Sequence, residues 1–278
     1  MKIETPDELI IRVREEIQEH GNDVDLNHLD VSSITDFSGV FAWLNFQGRI
    51  DKWNVSQAIT MHGMFEESQF NGDISAWDVS NVQDMSNMFF GSVFNQDISR
   101  WNVGNVKTMR KMFMESLFNR PIGDWNVSNV VDMSKMFESS LFNQDIGNWN
   151  VSALLDATKM FDSNDSFNQD LSKWRLFSLE QATYMFRKCS KMKSLDFLPH
   201  IPFEKLQDEK TRGQFFGLVR QSGLSAFLEQ DSMANHEQSL LEFFKIKQIE
   251  EKIKQAQEHL ESHLLIPFDK QGIVKKRL

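Results

Sequence analysis

Two histidines four residues apart, His259 and His263, come closest in this chain to a metal-binding pattern. On a helix both would face one side. The string His-Leu-Glu-Ser-His, however, places its Glu one position too late for the zinc-protease motif, and no third ligand accompanies it. A column of aspartates, Asp73, Asp97, Asp145 and Asp170, could be imagined to hold calcium. With one Asp per unit among Phe and Ile, bonding to nearby backbone amides is the simpler expectation. Cys189, the single cysteine, allows no intramolecular disulfide and reads as a packing residue. Three Asn-x-Ser triplets, beginning at Asn54, Asn126 and Asn150, match a glycosylation acceptor, yet they recur because one structural position wants Asn or Asp, as Asp78 shows. No phosphate loop, nucleophile motif or acid–base pair stands out. The expectation is a protein that is not an enzyme and needs no cofactor or metal.

What positions all these residues is a repeat. Trp53, Trp77, Trp101, Trp125 and Trp149 fall 24 residues apart, Trp174 follows after 25, and Leu29 stands one period before Trp53. Other columns keep the same spacing. A β-branched or aliphatic residue comes two after each Trp (Val55, Val79, Val103), and a Met-x-x-Met-Phe block follows, as in Met109, Met112 and Phe113. A second Phe (Phe70, Phe94, Phe118), an Asn ladder (Asn71, Asn95, Asn119, Asn143, Asn168) and a closing aliphatic (Ile74, Ile98, Ile122) complete the unit.

Trp-x-Val alternates with period two and predicts a short strand with both apolar groups inward. Met-x-x-Met-Phe places apolar groups at i, i+3 and i+4, which predicts a helical turn. A fixed period of 20–29 residues marks stacked repeats, in which each unit buries its apolar face only against its neighbours. Trp is expected to stack over Trp and Phe over Phe, with Met filling irregular gaps. The fold class expected is α/β: a leucine-rich-repeat-like solenoid of about seven 24-residue coils, with an N-terminal helical cap and a C-terminal helical region. The boundaries read as 1–28 for the capping helix, 29–198 for the repeats and 199–278 for the helical region.

The units FNQDISRWNVGNVKTMRKMF and FNQDIGNWNVSALLDATKMF resemble the BspA-like leucine-rich-repeat family, over roughly residues 29–198. That resemblance implies a bacterial chain, a curved α/β solenoid and kinship with bacterial surface proteins and lipoproteins. It carries no catalytic residue across, because the family motif is structural.

At the ends the pattern changes. Thr5-Pro6-Asp7-Glu8 is a helix start and Gly21 a stop, with Leu9, Ile10, Val13 and Ile17 on one side. Beyond Pro199 and Pro202, Ile246, Ile249, Ile253, Ala256 and Leu260 recur in a heptad-like seam, which predicts a helix able to close the array or to mediate self-association. Arg187, Lys188, Lys191 and Lys193, and the tail Lys275-Lys276-Arg277, are basic clusters expected to be solvated.

A net charge of −10 and a pI near 5.2 argue against nucleic acid as partner, which calls for a clustered basic face. No stretch reaches the roughly 18 apolar residues of a membrane span. The opening MKIETPDELIIRVREEIQEHG lacks the apolar core of a secretion signal. Cytoplasmic location is therefore expected, with secretion or surface display by an unseen signal as the alternative.

Function should then lie in residues the fold leaves free. These flank each Trp: Arg100, Asp124, Asn148 and Lys173 before it, and Asp78, Asn102, Asn126, Asn150 and Arg175 after it. They predict a polar ribbon that binds a protein partner in an adaptor, immunity-type protein or delivered effector; the alternative is a cell-surface adhesin or structural surface protein. Phe90 and Trp43 lie outside the core columns and are further candidate anchors.

Overall fold

Residues 1–192 are described by the structure, a computed structural model. Sequence expectations for the seam at 246–260, the pair His259 and His263, Lys193 and the basic tail lie outside the described residues. The chain divides into two units, Met1–Ser232 and Met233–Leu278, and everything below concerns the first.

Helix α1 spans Pro6–His20. Its start follows from Thr5, whose hydroxyl accepts the Glu8 amide at 3.2 Å, and from Glu8, whose carboxylate accepts the Glu4 amide at 2.8 Å. Pro6 occupies the first turn, where its missing N–H costs nothing. Gly21 at φ 90° ends the helix, its amide returning to the Ile17 carbonyl. Leu9 and Val13 are fully buried, Ile10 and Ile17 half-buried and Ile11 exposed.

From there the backbone makes the same circuit seven times. Parallel bridges link Asp36, Thr60, Asp84, Thr108, Asp132, Asp156 and Gln181 in sequence. Past each bridge, four alternate amides donate to the following copy. Phe89 N, for example, reaches the Met112 carbonyl at 3.0 Å, and Met85, Asn87 and Gly91 do the same toward Thr108, Arg110 and Met114. Copies are thus tied by backbone bonds in both directions, since the amide before each bridge residue donates to the preceding copy, as Gln83 does to Ile59 and Lys107 to Gln83, both at 2.8 Å.

Two local expectations are overturned. The Met-x-x-Met-Phe block is not helical, because its amides point to the next copy instead of four residues back, and because Asn87 (φ 59°) and Gly91 (φ 62°) interrupt the right-handed path. The same two positions carry positive φ in every copy, at Lys111 and Glu115 or Lys135 and Ser139, for instance. Each closes a tight turn, so Met85, Met88 and Phe89 all point inward without a helix. Trp-x-Val has the expected inward alternation but pairs with no neighbour as a strand. Among the described residues no strand longer than a single bridge exists, and α1 is the one α-helix.

Turn chemistry explains the wealth of Asn, Asp and Ser. Oδ1 of Asp84 accepts the Ser86 amide at 2.7 Å, that of Asp97 the Ser99 amide at 2.9 Å, and that of Asn102 the Gly104 amide at 3.2 Å, three such turns within one circuit. Buried serines make a fourth: Ser92 Oγ accepts the Phe94 amide at 3.1 Å.

The interior is aromatic. Phe41, Phe65, Phe89, Phe113, Phe137, Phe161 and Phe186 stack with centroids 5.2–5.9 Å apart. Beside them runs Phe46, Phe70, Phe94, Phe118, Phe142 and Phe167, spaced 5.8–6.5 Å. Trp over Trp is seen once among the described residues, at Trp149 and Trp174. Earlier tryptophans pack against Phe, as Trp101 does on Phe89 at 6.4 Å. Each indole N–H donates to the carbonyl of the aliphatic column one copy back, Trp101 to Ile74 at 3.1 Å and Trp125 to Ile98 at 3.1 Å, so a large apolar group is buried without stranding its polar atom. The ten methionines from Met61 to Met185 on the two Met columns are fully buried.

Candidate functional site

The residues flanking the Trp column sit where local turns put them. Because Trp101 and Val103 turn inward, Asn102 between them is exposed, and so are Asp78, Asn126 and Asn150. Their side chains are only half free. Oδ1 of each closes a turn on the amide two residues on: Asp78 on Ser80 at 3.0 Å, Asn126 on Ser128 at 3.3 Å, Asn150 on Ser152 at 3.2 Å. That bonding, first from Ser80, holds the Asp78 carboxyl below the usual carboxylate range. Each Asn keeps its amide N–H₂ for solvent or a partner.

The preceding column is less engaged. Arg100 and Asp124 are exposed and make no hydrogen bond or ion pair among the described residues. Asn148 and Lys173 touch, Nζ donating to Oδ1 at 2.9 Å, which shows that residues of successive copies meet along this column. Arg175 departs from expectation: it is half-buried, and its guanidinium folds back onto the carbonyls of Ser172 (3.1 Å) and Trp174 (3.3 Å). Of the nine ribbon residues, eight are thus exposed, and Arg100 and Asp124 are the least committed to the fold.

Of the two candidate anchors, Trp43 is 68% exposed at φ 63°, while Phe90 is half-buried with Lys111 Nζ 5.7 Å above its ring. Leu117 and Leu141, on consecutive copies, are further exposed apolar residues that column reasoning passed over.

The other candidate chemistries resolve into structure. Asp73, Asp97, Asp145 and Asp170 each accept the backbone amide two residues on. Cys189 is buried, and burial pushes its thiol up to about 12, far from a nucleophile at neutral pH. Arg187 does not stand free in its basic cluster. It pairs with the fully buried Asp162, Nε donating to Oδ1 at 2.9 Å, and this pairing raises its already high pKa. Lys159 lies between Asp162 (3.9 Å) and the buried Glu138 (3.3 Å), with Lys135 at 3.6 Å from Glu138, so charge alternates across three copies and each of the three cations has a carboxylate partner.

Sequence reasoning also missed an inter-copy column, Asn81, Asn105 and Asn129, whose amides donate to the carbonyls of Ser56, Ser80 and Gly104 at 2.7–2.8 Å. The recurrence of Asn two after Val79, Val103 and Val127 was its available signal. A cleft beside Gly48 and Gly72 was missed as well, though two glycines preceding a column of Gln and Arg announced it.

These features define a tandem-repeat protein with a polar ribbon beside its Trp column. A family model described as "Mycoplasma protein of unknown function, DUF285" matches residues 13–117 and again residues 92–196, and the chain belongs to that family. Comparison with curated proteins and with solved structures gave no match.

Proposed function

We propose that this chain is a non-enzymatic protein-interaction module of bacterial origin, whose seven circuits form a leucine-rich-repeat-like solenoid closed at its start by α1. Its kinship lies with the BspA-like repeat proteins. The polar ribbon from Asp78 to Arg175 binds a macromolecular partner, in the manner of an adaptor, an immunity-type protein or a delivered effector acting in a cytoplasm. The observation that carries this reading is the pair Arg100 and Asp124: two exposed, opposite charges on consecutive copies that make no hydrogen bond or ion pair among the described residues. Stacked repeats suit the role because each adds one more set of surface residues without altering the core.

The test is partner capture with the full chain, followed by affinity measurement on Arg100→Asp combined with Asp124→Arg. Loss of affinity with unchanged thermal stability supports the ribbon; unchanged affinity places recognition elsewhere. A second reading, a cell-surface adhesin or structural surface protein, is favoured by the resemblance of the FNQDI…WNV units to surface proteins. Fractionation of native cells separates the two: surface accessibility to protease supports the adhesin, and recovery with cytoplasmic markers supports the first reading. Among the described residues, no helix is long and apolar enough to cross a membrane.

A further inference from the structure

In four successive copies, the residue after the ladder Asn carries a long side chain that reaches back one copy and donates a hydrogen bond. Gln96 Nε2 donates to Asn71 Oδ1 at 3.2 Å, Arg120 Nε to the Asn95 carbonyl at 2.8 Å, Gln144 Nε2 to Asn119 Oδ1 at 3.0 Å, and Gln169 Nε2 to Asn143 Oδ1 at 2.8 Å. In the two copies before these, the position is Gly48 and Gly72. A cleft of about 270 Å³ lies there, lined by both glycines with Ile50 and Phe70, and by the charged residues Arg49, Asp51 and Asp73.

The two glycines differ. A Cβ on Gly48 would stand 2.0 Å from the Val24 carbonyl oxygen, so that position is closed by backbone. A Cβ on Gly72 would meet the edge of the Phe70 ring, at 2.7 and 2.8 Å, with no backbone nearer than the Gly48 carbonyl at 3.6 Å. In the next copy Phe94 and Gln96 share that spacing, so a ring and a long side chain fit together there. At Gly72 the Phe70 ring edge leans into the position a Cβ would take, so the cleft beside that ring is left to a side chain from outside this chain.

Charge selects among donors. Arg49 is held by Asp51 through two bonds of 3.2 Å and lies 3.7 Å from Asp25. Asp73 uses Oδ1 on the Ser75 amide at 2.9 Å and has no basic partner among the described residues. Two lining carboxylates against one guanidinium, itself shared with Asp25, leave the cleft net negative, which favours a cationic donor over a neutral amide.

We propose that this cleft receives a guanidinium-bearing side chain, an arginine of a protein partner, in the place that Arg120 and the three glutamines occupy in later copies. This site is separate from the Trp-flanking ribbon and stands whether or not the ribbon binds anything. Arginine suits it because its planar fork reaches a carboxylate and a carbonyl together.

The test is titration of the isotope-labelled full chain with N-acetyl-arginine amide and, separately, N-acetyl-glutamine amide, following the backbone amide resonances of Gly48, Gly72 and Asp73. Expected are saturable shifts with arginine amide at millimolar concentration, and binding of glutamine amide several-fold weaker. Gly72→Gln, which fills the place from within, should abolish the arginine shifts. Asp73→Asn, which keeps the turn acceptor but removes the charge, should weaken them several-fold with the fold intact. The proposal is overturned if no saturable shift appears at Gly48 and Gly72, if glutamine amide binds as tightly as arginine amide, or if Asp73→Asn leaves the affinity unchanged. Reversal of Arg100 and Asp124 should leave this titration unaltered, so the two sites are tested independently.

Discussion

Glu115 holds φ 56° with no side-chain bond among the described residues, and its backbone amide donates to Glu138 O at 2.9 Å. A left-handed conformation costs a non-glycine residue about 1–2 kcal/mol, while glycine loses about 0.5–1 kcal/mol more on folding. Glu115→Gly should therefore be neutral to about 1 kcal/mol stabilising, as the natural Gly91 at the same column suggests. Glu115→Val should destabilise, because a β-branched side chain is excluded there. Urea unfolding of the two variants decides this, and equal stability of both would refute the assigned backbone. At Trp101, Ala should cost roughly 3–5 kcal/mol through lost burial and a cavity. Phe should cost less, about 1–3 kcal/mol, mostly from leaving the Ile74 carbonyl without its donor. Identical losses for Ala and Phe would mean that the indole bond, not the packing, dominates.

At the scale of elements, α1 and the tight-turn block contrast. The helix follows from local signals that tertiary context does not contradict: Thr5, Pro6, Glu8 and Gly21 act within one turn of themselves. Thr5→Ala should cost about 1 kcal/mol. Hydrogen exchange should show faster opening of the first turn of α1 with the amides of the Phe ladder unchanged; slowed or unaltered exchange in α1 would count against the cap. The Met-x-x-Met-Phe block misled because inward groups at i, i+3 and i+4 are common to a helix and to two tight turns with left-handed residues between. The discriminating residues, Lys111, Glu115, Lys135 and Ser139, carry no compositional mark of positive φ. They tolerate it because the following copy takes their amides, a long-range bond that no local window contains.

For the whole molecule, acid should be more damaging than base. Asp30, Asp51, Asp78, Asp97 and Asp170 all titrate below the ordinary 3.8, Asp51 chiefly through the Asn27 amide and the others through serine two residues on. A depressed carboxylate contributes stability that is fully present above its unfolded value and is lost as pH falls through the folded one. This component should therefore hold above pH 3.8 and decline below it. Asp78→Asn keeps the turn, as Asn102 does in the next copy, and should lessen the decline. Unfolding midpoints across acid pH test it, and a steeper decline in the variant would reverse the sign assigned to Asp78.

The sequence by itself determined the 24-residue register, the inward columns of Trp, Val, Met and Phe, helix α1 and the exposure of the residues beside the Trp column except Arg175, because burial repeats with the period and turn residues act locally. Tertiary structure alone decided how a circuit is closed and which polar groups are spent. Asn102 and Asp78 are partly consumed by turns, Arg175 folds onto its own backbone, Arg187 serves a buried Asp162, and Gly72 opens a cleft where Gln96 and Arg120 fill one. For the bonds between copies the physical reason is shared. A hydrogen bond or ion pair to a residue 21 to 25 positions away depends on how neighbouring copies stack, and identical residue types within one copy fall on either side of that outcome. For Asp78, Asn102 and Arg175 the bonds are local, and the conformation of the turn decides them.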